Sequence, residues 1–292
     1  MKTKIVISIL ALFTIVSNSF AQTGSLCWKI SGKDLSNPSY ILGTFHLKPA
    51  SFLDSIPGAK TALLAAGQVI GELTLSDMGA LQLQTQQAMM MPSDTTCQML
   101  YSEEDYQFID NQLTSSIGIG LDKLGTIIPA GINMAYVVMM YQKHFPDVDL
   151  SNIIDVAVQN IATETGKPVL GLETVNDQLN ALFASPLKRQ AEDLLCSLKN
   201  QDYVISEVKS VIEAYNQFDL DKLYKMSYDN PCSTQEDMDK LNKNRNDKWM
   251  QVLPDMMKEK SSFIVVGALH LAGEEGLLNQ LGKLGYVIEP VR

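Results

Sequence analysis

At both ends of the chain, short apolar runs bounded by turn residues alternate with longer stretches of helical periodicity. The middle of the chain is helical in pattern throughout. The runs 40–43, 68–73, 168–173, 263–267 and 286–289 are rich in aliphatic and aromatic residues and read as strands. Asn37-Pro38 precedes the first and Gly166-Lys167 the third, as turn residues do before a strand. Residues 57–66 are Ala/Leu-rich, with Pro57 near the first turn of a helix. Residues 151–165 set Ile154, Val158, Ile161 and Ala162 at helical spacing, with Ser151 as the expected cap. Further helices are expected over 186–200, 203–217, 234–260 and 273–284. Strand–helix alternation predicts an α/β fold with a mixed, largely parallel central sheet flanked by helices. The stretch 76–150 reads as a helical insertion or cap within one domain that covers 22–292.

With 292 residues, 46% hydrophobic and 19% charged, the composition is that of a globular protein and excludes a disordered, collagenous or coiled-coil chain. The 33 acids against 23 bases give a formal charge of −10. Such a chain has no electrostatic grip on phosphate backbones, so no nucleic-acid partner is expected. Lys2 and Lys4, an apolar run over 5–16 and Ser19-Phe20-Ala21 form the pattern of a signal peptide cleaved after Ala21. That run is too short for a permanent anchor, and no later segment is long and apolar enough to cross a membrane. Cleavage removes two Lys and no acid, which leaves 271 residues at −12. No Cys follows the cleavage point, so no lipid anchor is indicated. Export, to a periplasm or the medium, brings an oxidising compartment. Cys27, Cys97, Cys196 and Cys232 can there form two bridges in any of three connectivities. Without a Cys-x-x-Cys, a redox motif or thiolate zinc knuckle is unsupported.

The chemistry gathers on histidines. The chain has three, and two share a context: a strand, then Gly43-Thr44-Phe45-His46-Leu47 or Gly267-Ala268-Leu269-His270-Leu271. Two of three histidines with Gly three places earlier arise by chance at about the 1% level. In open α/β sheets ligands bind beyond the carboxyl ends of strands, where both histidines fall. Two more strands end in carboxylates, Glu72 and Glu173. If these strands are parallel neighbours, two imidazoles and two carboxylates meet on one rim. That set suits a borderline divalent ion, Mn²⁺, Co²⁺, Fe²⁺ or Zn²⁺, and points to metal-assisted hydrolysis. Asn244-Arg245-Asn246-Asp247-Lys248-Trp249 of the expected helix 234–260 reads either as a solvated face with Trp249 packed inward, or as placing Arg245 to reach the rim and orient a carboxylate or stabilise an oxyanion. Asp155 interrupts an apolar pattern midway along 151–165 and needs a partner. It is read as standing behind a His or Arg245, or else facing solvent. There is no Gly-x-Ser-x-Gly elbow, no His-Glu-x-x-His helix, no phosphate loop and no dinucleotide fingerprint.

Several pieces in this order resemble the TraB/GumN family, in its GumN-like bacterial branch, whose animal relatives are the Tiki proteins. They are Leu42-Gly43-Thr44-Phe45-His46, the Glu72 strand, Gly166-Lys167-Pro168-Val169-Leu170-Gly171-Leu172-Glu173-Thr174 with Gln178, Arg245-Asn246 with Trp249, and Val266-Gly267-Ala268-Leu269-His270. The resemblance spans about 26–292. It departs at Asn244, where many relatives carry an acidic residue before the Arg, which leaves the local partner of Arg245 open. Tiki proteins are described as metal-dependent proteases acting on a secreted signalling protein, and TraB-type proteins are tied to shutting down a peptide pheromone. The resemblance therefore implies a metalloprotease-like hydrolase outside the cytoplasm. The resulting expectation is an exported metal-dependent peptidase acting on a peptide or protein. His46, Glu72 and His270 hold the ion, with Mn²⁺ or Co²⁺ ahead of Zn²⁺ and Fe²⁺. Glu173 is a further ligand or the general base, Arg245 steadies the tetrahedral intermediate, and Asn246 orients substrate. The alternative is a non-catalytic envelope protein that sequesters a peptide or haem. Oligomeric state is left open.

Overall fold

The computed structural model describes residues 24–76, 78–146 and 152–292. The expected signal peptide with its cleavage point at Ala21 lies outside the described residues, as does Ser151. Six strands form one sheet: β1 (Cys27–Ser31), β2 (Ser39–Thr44), β3 (Gln68–Gly71), β4 (Val169–Gly171), β5 (Ser262–Gly267) and β6 (Val287–Pro290). Their order is β4-β3-β5-β2-β1-β6. The pairs β3–β4, β3–β5 and β2–β5 are parallel, and β1 runs antiparallel to both its neighbours. Five strands thus point one way, which is the mixed, largely parallel α/β sheet expected from the alternation. β1 was not foreseen: five residues broken by Lys29 carry too short a pattern to register. β5 lies mid-sheet, and all its residues but Gly267 are buried, as a near-continuous apolar run covered on both faces requires.

The helices used below are α1 (Ala59–Ala65), α2 (Glu103–Ile117), α3 (Pro129–His144), α4 (Ile154–Glu164), α5 (Val175–Phe183), α6 (Leu187–Lys199), α7 (Gln201–Asn216), α8 (Leu220–Tyr228), α9 (Gln235–Leu241), α10 (Lys243–Trp249), α11 (Leu253–Glu259) and α12 (Leu277–Lys283). Two starts and breaks matter for the site. First, α4 begins at Ile154, not at 151. Ile153 bridges to Pro49, Ala50 N–H donates to Asn152 O at 2.8 Å and Ile154 N–H to Lys48 O at 3.1 Å. This strand-like pairing pins the loop after β2 and places Asp155 in the first turn, not midway. Second, the single helix expected over 234–260 is three. Asn242 is buried between α9 and α10 with φ −118° and ψ −73°, and Pro254 enters the first turn of α11, where its missing N–H costs nothing.

Two apolar cores result. The larger joins the sheet to α1, α4, α8 and α12, with Tyr215, Trp249 and Phe263 among its largest fully buried side chains. The other unites Ile109 and Leu113 of α2 and Ile132 and Tyr136 of α3 with Leu194 and Leu198 of α6. One disulfide forms, Cys196–Cys232. Cys27 and Cys97 are buried free thiols, and burial pushes both above the usual thiol range.

Candidate functional site

Parallel register carries the predicted residues to one rim. Thr44 pairs with Gly267, Gly71 with Val265 and with Gly171. His46, Glu72, Glu173 and His270 each follow a strand end by one to three residues. The two glycine motifs are therefore staggered by one step, since Gly43 faces Val266. Close approach requires Gly43: a Cβ there would lie 2.8 Å from Leu271 Cδ1 and 3.0 Å from Ala268 Cα. Gly267 differs. Its φ of −55° and ψ of 139° suit any residue. What it preserves is space: a Cβ would stand 3.4 Å from Glu72 Oε1, 3.6 Å from His46 Nε2 and 3.6 Å from His270 Cδ2. Imidazoles from opposite ends of the chain therefore face one methyl-sized gap, with Glu72 Oε1 and His46 Nε2 within about 7 Å of each other.

Each imidazole is held by its other nitrogen. His46 Nδ1 stands 3.2 Å from Asp155 Oδ2, and Asp155 is itself held by the Thr44 hydroxyl at 2.7 Å. The Asp155 charge raises His46, whose side chain is 59% exposed, to about 9. His270 Nδ1–H donates to Asn246 Oδ1 at 2.8 Å, and Nε2 accepts from Arg245 Nη1 at 3.0 Å. Burial and the adjacent guanidinium keep His270 neutral, well below the usual range. Asn246 is 1% exposed, and its amide nitrogen donates to the carbonyls of His270 and Glu275 at 3.1 and 2.8 Å. Every polar atom of that side chain is used internally. It holds His270 from both its ring and its backbone.

Arg245 is the hub. Its Nη2 meets Glu72 Oε2 at 2.6 Å, and Nε and Nη2 clasp the two Glu173 oxygens at 3.0 and 2.5 Å. Its guanidinium lies 4.8 Å from the centre of the Trp249 ring, and Trp249 Nε1–H donates to Glu173 Oε2 at 3.2 Å. Such bidentate, stacked geometry is specific to arginine. Glu72 Oε1 accepts Gly267 N–H at 2.7 Å, and Gln178 donates to Oε2 at 3.2 Å. Burial pushes the Glu72 carboxyl up, but the charges of Arg245 and His46 and that N–H outweigh it and hold the group well below the usual carboxylate range. Three carboxylates (Glu72, Glu173, Asp155) against the Arg245 guanidinium and the His46 imidazolium leave a net negative charge around the gap. Gln159 orders the turn after Glu72, donating to Leu73 O and accepting Leu75 N–H, both at 2.8 Å. No spacing in the sequence marks Gln159 for this. The Tyr215 hydroxyl donates to Gly43 O at 3.0 Å and fixes the end of β2.

The donor chemistry fits a divalent ion: two imidazoles, each with Nδ1 turned to an oxygen acceptor, and a carboxylate oxygen beside a preserved gap. Among the described residues, however, no group of three or more His, Cys, Asp or Glu is gathered to hold an ion as it stands. The Arg245 guanidinium lies between Glu72, Glu173 and His270 instead. His46, Arg245, Gly267 and His270 line a cavity of about 320 Å³ whose other walls include Val211, Leu223, Met238 and Leu241. A family model described as the TraB/PrgY/gumN family matches residues 26–290. Comparison with curated proteins and with solved structures finds no match.

Proposed function

We propose, from the premise that the chain belongs to the TraB/PrgY/gumN family, that it is a metal-dependent hydrolase acting on peptides outside the cytoplasm. One observation carries the reading: His46 Nε2, His270 and Glu72 Oε1 converge on the gap kept open by Gly267. In this reading His46, His270 and Glu72 would hold the ion, Mn²⁺ or Co²⁺ ahead of Zn²⁺ or Fe²⁺. A divalent ion bound there supplies Lewis acidity and lowers the pKa of water towards about 7. The chain's own residues do the rest. Asp155 keeps the proton on His46 Nδ1 and Asn246 keeps it on His270 Nδ1; His46 Nε2 faces the gap, while His270 Nε2 is held by Arg245 Nη1 and would have to exchange that partner for the ion. Arg245, which lines the cavity, presents a fixed positive group to charge developing on a substrate carbonyl oxygen. Glu173 has both oxygens engaged by Arg245 and Trp249. Its role here is to fix the guanidinium, in place of taking a proton from water.

Export is supported by the leader-like residues 1–21 and by the Cys196–Cys232 bridge. No helix among the described residues is long and apolar enough to cross a membrane. The test is direct. Protein purified without chelator should contain a divalent ion by elemental analysis. With Mn²⁺ or Co²⁺ it should cleave unstructured peptides, and His46→Ala or His270→Ala should abolish cleavage. Peptide binding that survives both substitutions, with no cleavage under any ion, would establish sequestration instead.

A further inference from the structure

The space beside the centre is larger than the centre. A second cavity, of about 500 Å³, meets the first at Phe45, Glu207, Val211 and Leu241, which line both. Its remaining walls come from α3, α5, α6, α7 and α9, with apolar side chains such as Val137, Phe183 and Val208 beside polar ones such as Asp193 and Asp237. Two adjoining cavities that share these walls, apolar in most of their exposed surface and beside the rim, have the form of a substrate site.

Glu207, at the junction, is out of keeping with its neighbours. On α7 it is followed by Val208 and by Val211 one turn later. Its oxygens accept from Asn230 Nδ2 at 3.3 and 3.1 Å and from the Tyr203 side chain. Both donors are neutral. No Lys, Arg or His among the described residues stands within ion-pair distance of it. The other charged groups lining the larger cavity are matched: Asp193 and Asp237 by Arg189 at 2.6 and 3.0 Å, and Lys240 by Glu236 at 3.0 Å. Burial raises the Glu207 carboxyl, which shows that its charge is poorly solvated. A half-buried carboxylate with neutral donors and no counterion is completed by a cation.

We propose that Glu207 is a specificity residue that receives an ammonium or guanidinium group of the peptide substrate, while the 500 Å³ cavity takes the adjoining apolar side chain. The proposal rests on the peptidase reading of the rim. The cation has two possible sources, a Lys or Arg side chain or a free amino terminus. The test uses capped hexapeptides of alanine and leucine bearing norleucine at one position, the same peptides with lysine there, and the norleucine peptides with a free amino terminus. The variable position is moved along the peptide, and affinities are read by isothermal titration. One cationic series should bind about tenfold or more tighter than capped norleucine, and which series does so identifies the source. Glu207→Gln should shrink the gap to about twofold or less, and Glu207→Lys should turn the preference towards a glutamate peptide. Equal affinity for cationic and neutral peptides, a gap that survives Glu207→Gln, or failure of every peptide to bind would each overturn the proposal. Cleavage without discrimination removes the proposal and leaves the hydrolase reading. Discrimination without cleavage under Mn²⁺ or Co²⁺ does the reverse.

Discussion

Replacing Gly267 by alanine separates folding from chemistry. The backbone at Gly267 is already in a region open to alanine, with φ −55° and ψ 139°, so no strain is added. The added methyl lies 3.4–3.6 Å from Glu72 Oε1, His46 Nε2 and His270 Cδ2, which is ordinary contact. Reduced freedom of the unfolded chain favours alanine by about 0.4–1 kcal/mol, and contact with polar atoms offsets part of this. The net change should stay within about 1 kcal/mol, a melting shift of about 4 °C or less. An ion needs donors at about 2.0–2.2 Å, and the methyl occupies the gap that those donors face. Ion affinity and peptide cleavage should therefore fall about 100-fold or more, beyond the range of lost supporting contacts. Urea melts, titration with Mn²⁺ and Co²⁺, and cleavage rates of the same preparation give all three readings. Gly43→Ala is the control: a Cβ 2.8 Å from Leu271 Cδ1 and 3.0 Å from a backbone carbon should destabilise by about 1–3 kcal/mol. A folded Gly267→Ala protein that binds ion and cleaves peptide like the wild type would refute the assignment of the reaction to this gap.

Asp155→Asn removes the charge that raises His46, so in metal-free protein the imidazole should titrate clearly below about 9 by NMR. The sign for stability follows. A raised folded pKa contributes fully below the unfolded value near 6.5 and fades as pH rises through about 9. The metal-free wild type should therefore lose stability relative to Asp155→Asn between pH 6.5 and 9.5, and parallel urea curves would contradict this. Asn246→Ala strips partners from His270 Nδ1, from the buried His270 carbonyl and from the part-buried Glu275 carbonyl and should cost about 2–4 kcal/mol in urea denaturation. Replacing both Cys196 and Cys232 by serine frees a loop with a sequence separation of 36, worth about 4 kcal/mol on a chain-entropy view. Urea midpoints of the wild type with and without reductant provide the comparison.

The rim was legible in the sequence because parallel strands convert a repeated local pattern into proximity. Gly43-x-x-His46 and Gly267-x-x-His270 each follow an apolar run, and Glu72 ends another. What those residues touch was less legible. Asn246 was expected to orient substrate, and the partners it has were not foreseen. The break at Asn242 turns the helix so that Asn246 faces the backbone at His270 and Glu275, and helical periodicity contains no record of such a turn. Glu173 looked like a free strand-end acid. Its bidentate clasp by Arg245 depends on where α10 lies, which is tertiary information. Asp155 was seen to need a partner, but its nearness to His46 follows from pairing between 48–50 and 152–154 that no pattern signals. Cysteine spacing could not choose among pairings, and packing selects Cys196 with Cys232 while sealing Cys27 and Cys97 in separate cores.

The central position of β5 has a consequence for biosynthesis. The ladders β1–β2 and β3–β4 share no hydrogen bonds until β5, which begins at Ser262, slots between β2 and β3. A ribosome has made most of the polypeptide before that wedge exists, and contacts so distant in sequence form late. Until then the nascent molecule carries His46 and Glu72 on unjoined fragments and lacks His270, so the rim is not assembled. The rim therefore waits on the late-made central strand, and chain order alone sets when its residues first meet.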